Sequence, residues 1–168
     1  MVEMVDGVEA VAGFGRADLT VIREMSGLEY LQGMLEGKFP APTISKAMNL
    51  RLLEVENGKV AFCGTPGPDY CNPMGTVHGG YMATLLDSAL GCCIHSTCAP
   101  GYASTSIDLK VNFVRPVFPH TGRLIARAHV VHPGRQIATT EARLTDENGK
   151  LYAHGSQACS IFKIPDQA

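Results

Sequence analysis

Between His78 and His95 the chain reads HGGYMATLLDSALGCCIH, apolar almost all the way round a helical wheel, which predicts a long helix buried on every side. Downstream the period changes to two. Ile107, Leu109, Val111 and Phe113 alternate with Ser106, Asp108, Lys110 and Asn112, as in a strand with one face on a core. Further strand-like stretches follow around 122–131, 136–145 and 150–164, separated by His132-Pro133-Gly134-Arg135 and Asp146-Glu147-Asn148-Gly149. Upstream, stretches 48–55 and 59–65 read as a hairpin joined at Glu56-Asn57-Gly58, where Asn-Gly supplies the positive φ of a tight turn. Ser26-Gly27-Leu28-Glu29 reads as a capping box that opens a short helix, with Leu28, Leu31, Met34 and Leu35 at helical spacing and a stop at Gly37.

A lone helix is buried on all sides in so small a chain only if a curved antiparallel sheet wraps it. The predicted class is therefore α+β, one long helix inside an antiparallel sheet, with a short helix on its N-terminal side. Residues 1–25 show no clear period and are expected to form a flexible arm, leaving 26–168 as a single domain.

Composition narrows the function classes. Of 168 residues, 45% are apolar and 18% charged, too greasy for a disordered chain, yet no apolar run approaches the ~18 needed to span a bilayer. A membrane anchor is not expected. Fourteen Lys and Arg against sixteen Asp and Glu give a net charge of -2 with no basic block, so nucleic acid is not an expected partner. The N-terminal MVEMVDGVEAVAGFGRADL carries acids where a secretory signal carries bases, which points to the cytoplasm. There Cys63, Cys71, Cys92, Cys93, Cys98 and Cys159 stay reduced. None forms a Cys-x-x-Cys pair and the six histidines are scattered, so no metal site is expected. Gly13-Phe14-Gly15-Arg16 lacks the third glycine and the preceding strand of a dinucleotide fingerprint.

Two features of the long helix carry candidate chemistry. Asp87 is its one ionisable interior residue, and its neighbours Ala83, Thr84, Leu90 and Gly91 include no cation. Either a backbone amide from a nearby loop satisfies it, or it is a carboxylate kept in a cleft to act on a substrate or water. The second feature is the entry Asn72-Pro73-Met74-Gly75-Thr76-Val77-His78-Gly79-Gly80. Glycines at a helix start let a ligand approach first-turn N–H groups that lack intrahelical acceptors, a seat for a carbonyl oxygen becoming an oxyanion. Asn72 can add a side-chain amide. The competing reading is close helix–sheet packing, with His78 a structural residue. Nine residues from His78 to Asp87 span about 13 Å at 1.5 Å rise, so one helix cannot bring both groups to one carbonyl. A two-fold homodimer with antiparallel helices would.

The pattern N-x-x-G-x-x-H-G-G over 72–80, then Asp87, resembles the hot-dog-fold acyl-CoA thioesterases, in particular the phenylacetate-degradation (PaaI-like) branch and the related mammalian enzymes. The similarity runs from Ser26 through Val111-Asn112-Phe113-Val114-Arg115-Pro116 and His132-Pro133-Gly134-Arg135 to about Ile164. It implies hydrolysis of an acyl-CoA thioester, with coenzyme A as part of the substrate and no resident cofactor. Gly79 then matches the residue whose N–H polarises the carbonyl, His78 falls with it in the catalytic set and Gly80 among the contacts to coenzyme A, and Asn72 helps hold the carbonyl or the water. Asp87 matches a partner-subunit acid acting as general base or nucleophile, and Ser106 a hydroxyl that orients the water in some members. Arg135, with Gly134 in its turn, and Arg115 match contacts to coenzyme A phosphates, although each arginine equally suits a solvated surface. The resemblance implies a homodimer, paired into a tetramer. Two alternatives share the fold. A hydratase or dehydratase pairs its acid with a nearby histidine, whereas His95 falls eight residues after Asp87 and off its helix face; a non-catalytic acyl-CoA sensor would not require Asp87.

Overall fold

The computed structural model describes the backbone of Met4–Val5 and Val8–Glu9 together with residues 13–165. Of the arm expected over 1–25, residues 1–3, 6–7 and 10–12 lie outside the described residues. The described part carries two short strands and a helix. Met4–Val5 (β1) and Val8–Glu9 (β2) pair antiparallel, and Leu19–Glu24 (α1) is a helix whose N-cap, Asp18, accepts from the Thr20 amide at 2.9 Å.

The capping box forms as read: Ser26 caps Gly27–Leu35 (α2), its hydroxyl accepting from the Glu29 amide while the Glu29 carboxylate accepts from the Ser26 amide at 2.8 Å. A third helix, Thr43–Met48 (α3), occupies the start of what reads as a strand from Met48. It has no side-chain cap, so no local signal announces it, and Asn49 ends it at a left-handed φ of 49°. The hairpin then follows as Leu50–Glu56 (β3) and Lys59–Gly64 (β4), with Gly58 at φ 74°.

Gly79–His95 forms the long helix (α4), followed by Tyr102–Ser106 (β5), Lys110–Phe113 (β6), Leu124–His132 (β7), Ile137–Asp146 (β8) and Leu151–Lys163 (β9). The strands make one antiparallel sheet in the order β3-β4-β7-β8-β9-β5, with β6 beside β5 on the same side of β9. Alternate residues face the helix: Val60 and Phe62, Leu124, Ala126 and Ala128, Ala142 and Leu144, and Ala153 pack with Leu85, Leu86, Ala89, Leu90 and Cys93. Small residues let the helix lie close. A Cβ on Gly155 would stand 2.6 Å from the Lys110 carbonyl oxygen and 3.8 Å from Leu86. Each fully buried leucine contributes about 1.5–3 kcal/mol, so this face dominates the core.

Two expectations change. The helix is not buried on every side, because Ala83, Thr84, Asp87, Ser88, Gly91 and Cys92 form a half-buried stripe that this chain's own sheet covers only in part. The alternation from Ser106 to Phe113 does not make one inward-facing strand either. Asp108 accepts from the Ala158 amide at 2.8 Å in the gap between β5 and β6, and Ile107 and Phe113 are left 56% and 53% exposed. The apolar set thus lies open along the sheet edge. Among the described residues no helix is long and apolar enough to cross a membrane.

Candidate active site

Asp87 faces outward on the half-buried stripe of α4, and the neighbouring strands bring it two donors. Ser106 Oγ at the end of β5 donates to Asp87 Oδ1 at 3.3 Å, and Gln157 Nε2 on β9 donates to the same oxygen. No donor among the described residues reaches Oδ2. The partners are therefore side chains from two strands rather than the backbone amide that the bland reading of the sequence invokes.

Two cysteines, Cys92 and Cys159, lie near this carboxylate, yet they are poor nucleophiles. Burial, with the Asp87 charge adding to it, pushes the Cys92 thiol up to about 12 and the Cys159 thiol up to about 11. Both stay protonated at neutral pH and so offer no thiolate beside the carboxylate.

At the start of α4, His78 is the N-cap and its Nδ1 accepts from the Gly80 amide at 2.8 Å. The Tyr81 amide turns back to the His78 carbonyl at 3.0 Å, whereas the Gly79 N–H has no acceptor among the described residues. The loop is clamped there by His78 N–H to the Tyr70 carbonyl at 2.7 Å and Val77 N–H to the Val117 carbonyl at 2.8 Å. A free N–H at the positive end of a 17-residue helix is an anion-stabilising group held still by its own loop. Of the two glycines, Gly79 offers its amide and Gly80 spends its amide on His78.

The other predicted positions sort by geometry. Asn72 is tied into its own loop, its Nδ2 donating to Thr76 Oγ1 at 2.7 Å and its Oδ1 accepting from the Met74 amide at 2.9 Å. Arg115 NH1 donates to the Leu151 carbonyl at 2.6 Å, at one end of β9. Arg135 is exposed in the turn whose Gln136 carbonyl accepts from Ile161, at the other end. Ten residues of strand, about 33 Å, separate these ends, so one chain's two arginines cannot share a phosphate group. Gly134 has a packing reason of its own, since a Cβ there would collide with the Ile137 carbonyl oxygen. A recess of about 1060 Å³ lies on the outer face of the sheet, lined by Lys59, Lys110, Arg127, His129, Arg143 and His154 among others, and none of the Asp87 cluster borders it.

Gln157 is the residue that the sequence reading missed. It is 2% exposed, in the inward register of β9 between Gly155 and Cys159. A signal existed: an amide in an otherwise small and apolar inward register needs a polar partner, and Asp87 is the lone acid inside α4.

Comparison with known proteins gives the family of the chain. Residues 74–153 match the model of the Thioesterase superfamily. Acyl-coenzyme A thioesterase 13 of Homo sapiens is 32% identical over 110 residues, 63% of this chain and 75% of the relative. A phenylacetic acid degradation-related protein of Ralstonia eutropha superposes with a TM-score of 0.71 at 26% identity, covering 78% of this chain and 98% of that one. The PaaI protein of E. coli, from a phenylacetic acid degradation operon, shares the fold with a TM-score of 0.69 at 22% identity over 83% and 94% of the two chains. The chain belongs to the thioesterase superfamily and has its hot-dog fold, a helix wrapped by an antiparallel sheet. It is a thioester hydrolase.

Proposed function

We propose that this enzyme hydrolyses acyl-CoA thioesters at a site shared between two copies of the chain. The observation that carries the reading is the state of two atoms. Asp87 Oδ2 and the Gly79 N–H each have no hydrogen-bond partner among the described residues, and they lie on the same half-open helix.

Gly79 N–H, aided by the helix dipole, donates to the thioester carbonyl oxygen as it becomes an oxyanion, an effect worth about 3–4 kcal/mol per donor. Asp87 Oδ2 takes a proton from water while the water oxygen attacks the carbonyl carbon. The C–S bond then breaks, the sulfur leaves with a proton as coenzyme A, and the free acid remains. Eight residues of helix separate Gly79 from Asp87, about 12 Å, so the two groups must come from different protomers. The exposed apolar edge at Ile107, Leu109, Phe113 and Val114 supports such pairing, because it runs beside the open stripe that carries Asp87. Two-fold pairing also offers one site an Arg115 and an Arg135 from different chains, suited to the phosphates of coenzyme A. Asn72 completes the carbonyl end by holding its loop, and pairs of dimers form the tetramer. Six cysteines outside any disulfide suit a reducing cytoplasm.

Asp87→Asn is expected to lower kcat on acyl-CoA by about 10²- to 10⁴-fold. Mixing tests the shared site. Asp87→Asn and Gly79→Pro, each inactive alone, are co-expressed and their random dimers assayed. Heterodimers then hold one intact site each, and about a quarter of wild-type activity returns. No recovery would place both groups in one chain's site and overturn the composite reading; full activity in Asp87→Asn would overturn the catalytic one.

A further inference from the structure

Gln157 is an expensive residue to bury, since an amide taken out of water without partners costs several kcal/mol in principle. Its environment explains why it is kept. Thr140 Oγ1 donates to the Gln157 backbone carbonyl at 3.4 Å, Cys159 Sγ donates to Gln157 Oε1 at 3.5 Å, and Gln157 Nε2 donates to Asp87 Oδ1. Chemistry settles which end of the amide faces which neighbour. A buried thiol that stays protonated offers a hydrogen, so it takes the amide oxygen, and the amide nitrogen is left facing the carboxylate. The reverse orientation would set two acceptors against each other.

We propose that Gln157 is a positioning residue for Asp87. It pins Oδ1 from the interior of the sheet so that Oδ2 stays turned toward the open stripe, where a water and a thioester carbonyl meet in the reading above, on which this inference rests. Ser106 approaches Oδ1 from the exposed side and at 3.3 Å, whereas Gln157 approaches from inside and is itself gripped by Cys159 and Thr140. The inner contact sets the side-chain rotation of Asp87, because its donor is 2% exposed and its amide oxygen is already taken by Cys159.

Gln157→Met keeps the volume and removes the donor. The expected result is a kcat on acyl-CoA lower by about ten- to a hundredfold, the factor for a hydrogen bond to a charged acceptor, with KM within about twofold and the acidic limb of the kcat profile moved to higher pH. Gln157→Glu is expected to move that limb further, because two carboxylates then share one site. An unmoved limb and a kcat within twofold of wild type in Gln157→Met overturn the proposal. Should the Met variant not fold, an unmoved limb in Gln157→Glu overturns it equally. Asp87→Asn in parallel separates the two claims: if it stays active the hydrolytic reading fails, and if it is inactive while Gln157→Met is not, only the role of Gln157 fails.

Discussion

The edge of the Phe113 ring lies 3.0 Å from the point that a Cβ on Gly79 would occupy. Strand β6 thus packs against the first turn of α4 at Gly79. The contact is tight enough that even a methyl group would push the half-exposed ring by a few tenths of an ångström, yet the ring is free to give.

This relationship allows the N–H to be removed without breaking the helix. Gly79 is the first residue of α4 after its cap, a position where proline is favoured because the N–H there makes no helical bond. His78 already has the extended ψ of 140° that a following proline needs. Gly79→Pro is expected to lower kcat about 10²- to 10³-fold with helical circular dichroism unchanged. Gly79→Ala adds the same Cβ, keeps the N–H, and is expected to stay within about tenfold of wild type, since the Phe113 ring can yield. Equal losses in both, followed as release of free thiol, would assign the effect to the ring contact and not to the amide.

Ser106 gives a milder prediction. Its hydroxyl is exposed and its bond to Asp87 is long, so it adds to a carboxylate that Gln157 already holds. Ser106→Ala should lower kcat about three- to tenfold with little change in KM, measured by steady-state hydrolysis of one acyl-CoA. A loss as large as that of Asp87→Asn would mean that the hydroxyl touches the reacting water itself.

The core makes a prediction about alkaline stability. Cys93 is fully buried, its Sγ donates to the Gly58 carbonyl at 3.1 Å, and burial pushes the thiol up to about 12. In the unfolded chain it titrates near its ordinary value of about 8.5, so above that pH the unfolded state holds fewer protons than the folded one. Its contribution is complete below about pH 8.5 and is lost as pH rises toward 12, by up to about 1.4 kcal/mol per pH unit. Thermal melts should show Tm falling between about pH 8.5 and 10.5, and falling less steeply in Cys93→Ala. Parallel slopes for the two proteins would assign the alkaline loss to other groups.

Much of the architecture was legible because its causes are local. The capping box needs only Ser26 and Glu29, three residues apart, and the hairpin turn needs only the φ tolerance of Asn57-Gly58. Helix α4 announces itself by seventeen residues with almost no charge. The misses have equally physical reasons. Helix α3 has proline at its cap and no capping side chain, so it shows no start signal, and its Met48 was absorbed into the apolar alternation that continues through Leu50 and Leu52. The break between β5 and β6 was invisible because Ile107 and Leu109 keep the period of a buried strand although their surroundings leave them open.

The sequence by itself determined the capping box, the hairpin turn, the long helix and the antiparallel wrap around it, and it singled out Gly79 and Asp87 as candidate positions, because each follows from residue type and spacing within a few turns of chain. Only the tertiary structure decided what Asp87 touches. Ser106 and Gln157 lie 19 and 70 residues from it, and they meet it because the β8–β9 and β5–β9 pairings fix which face of each strand looks inward. A one-residue slip in either register would turn those side chains away, and no local pattern in the chain records that choice.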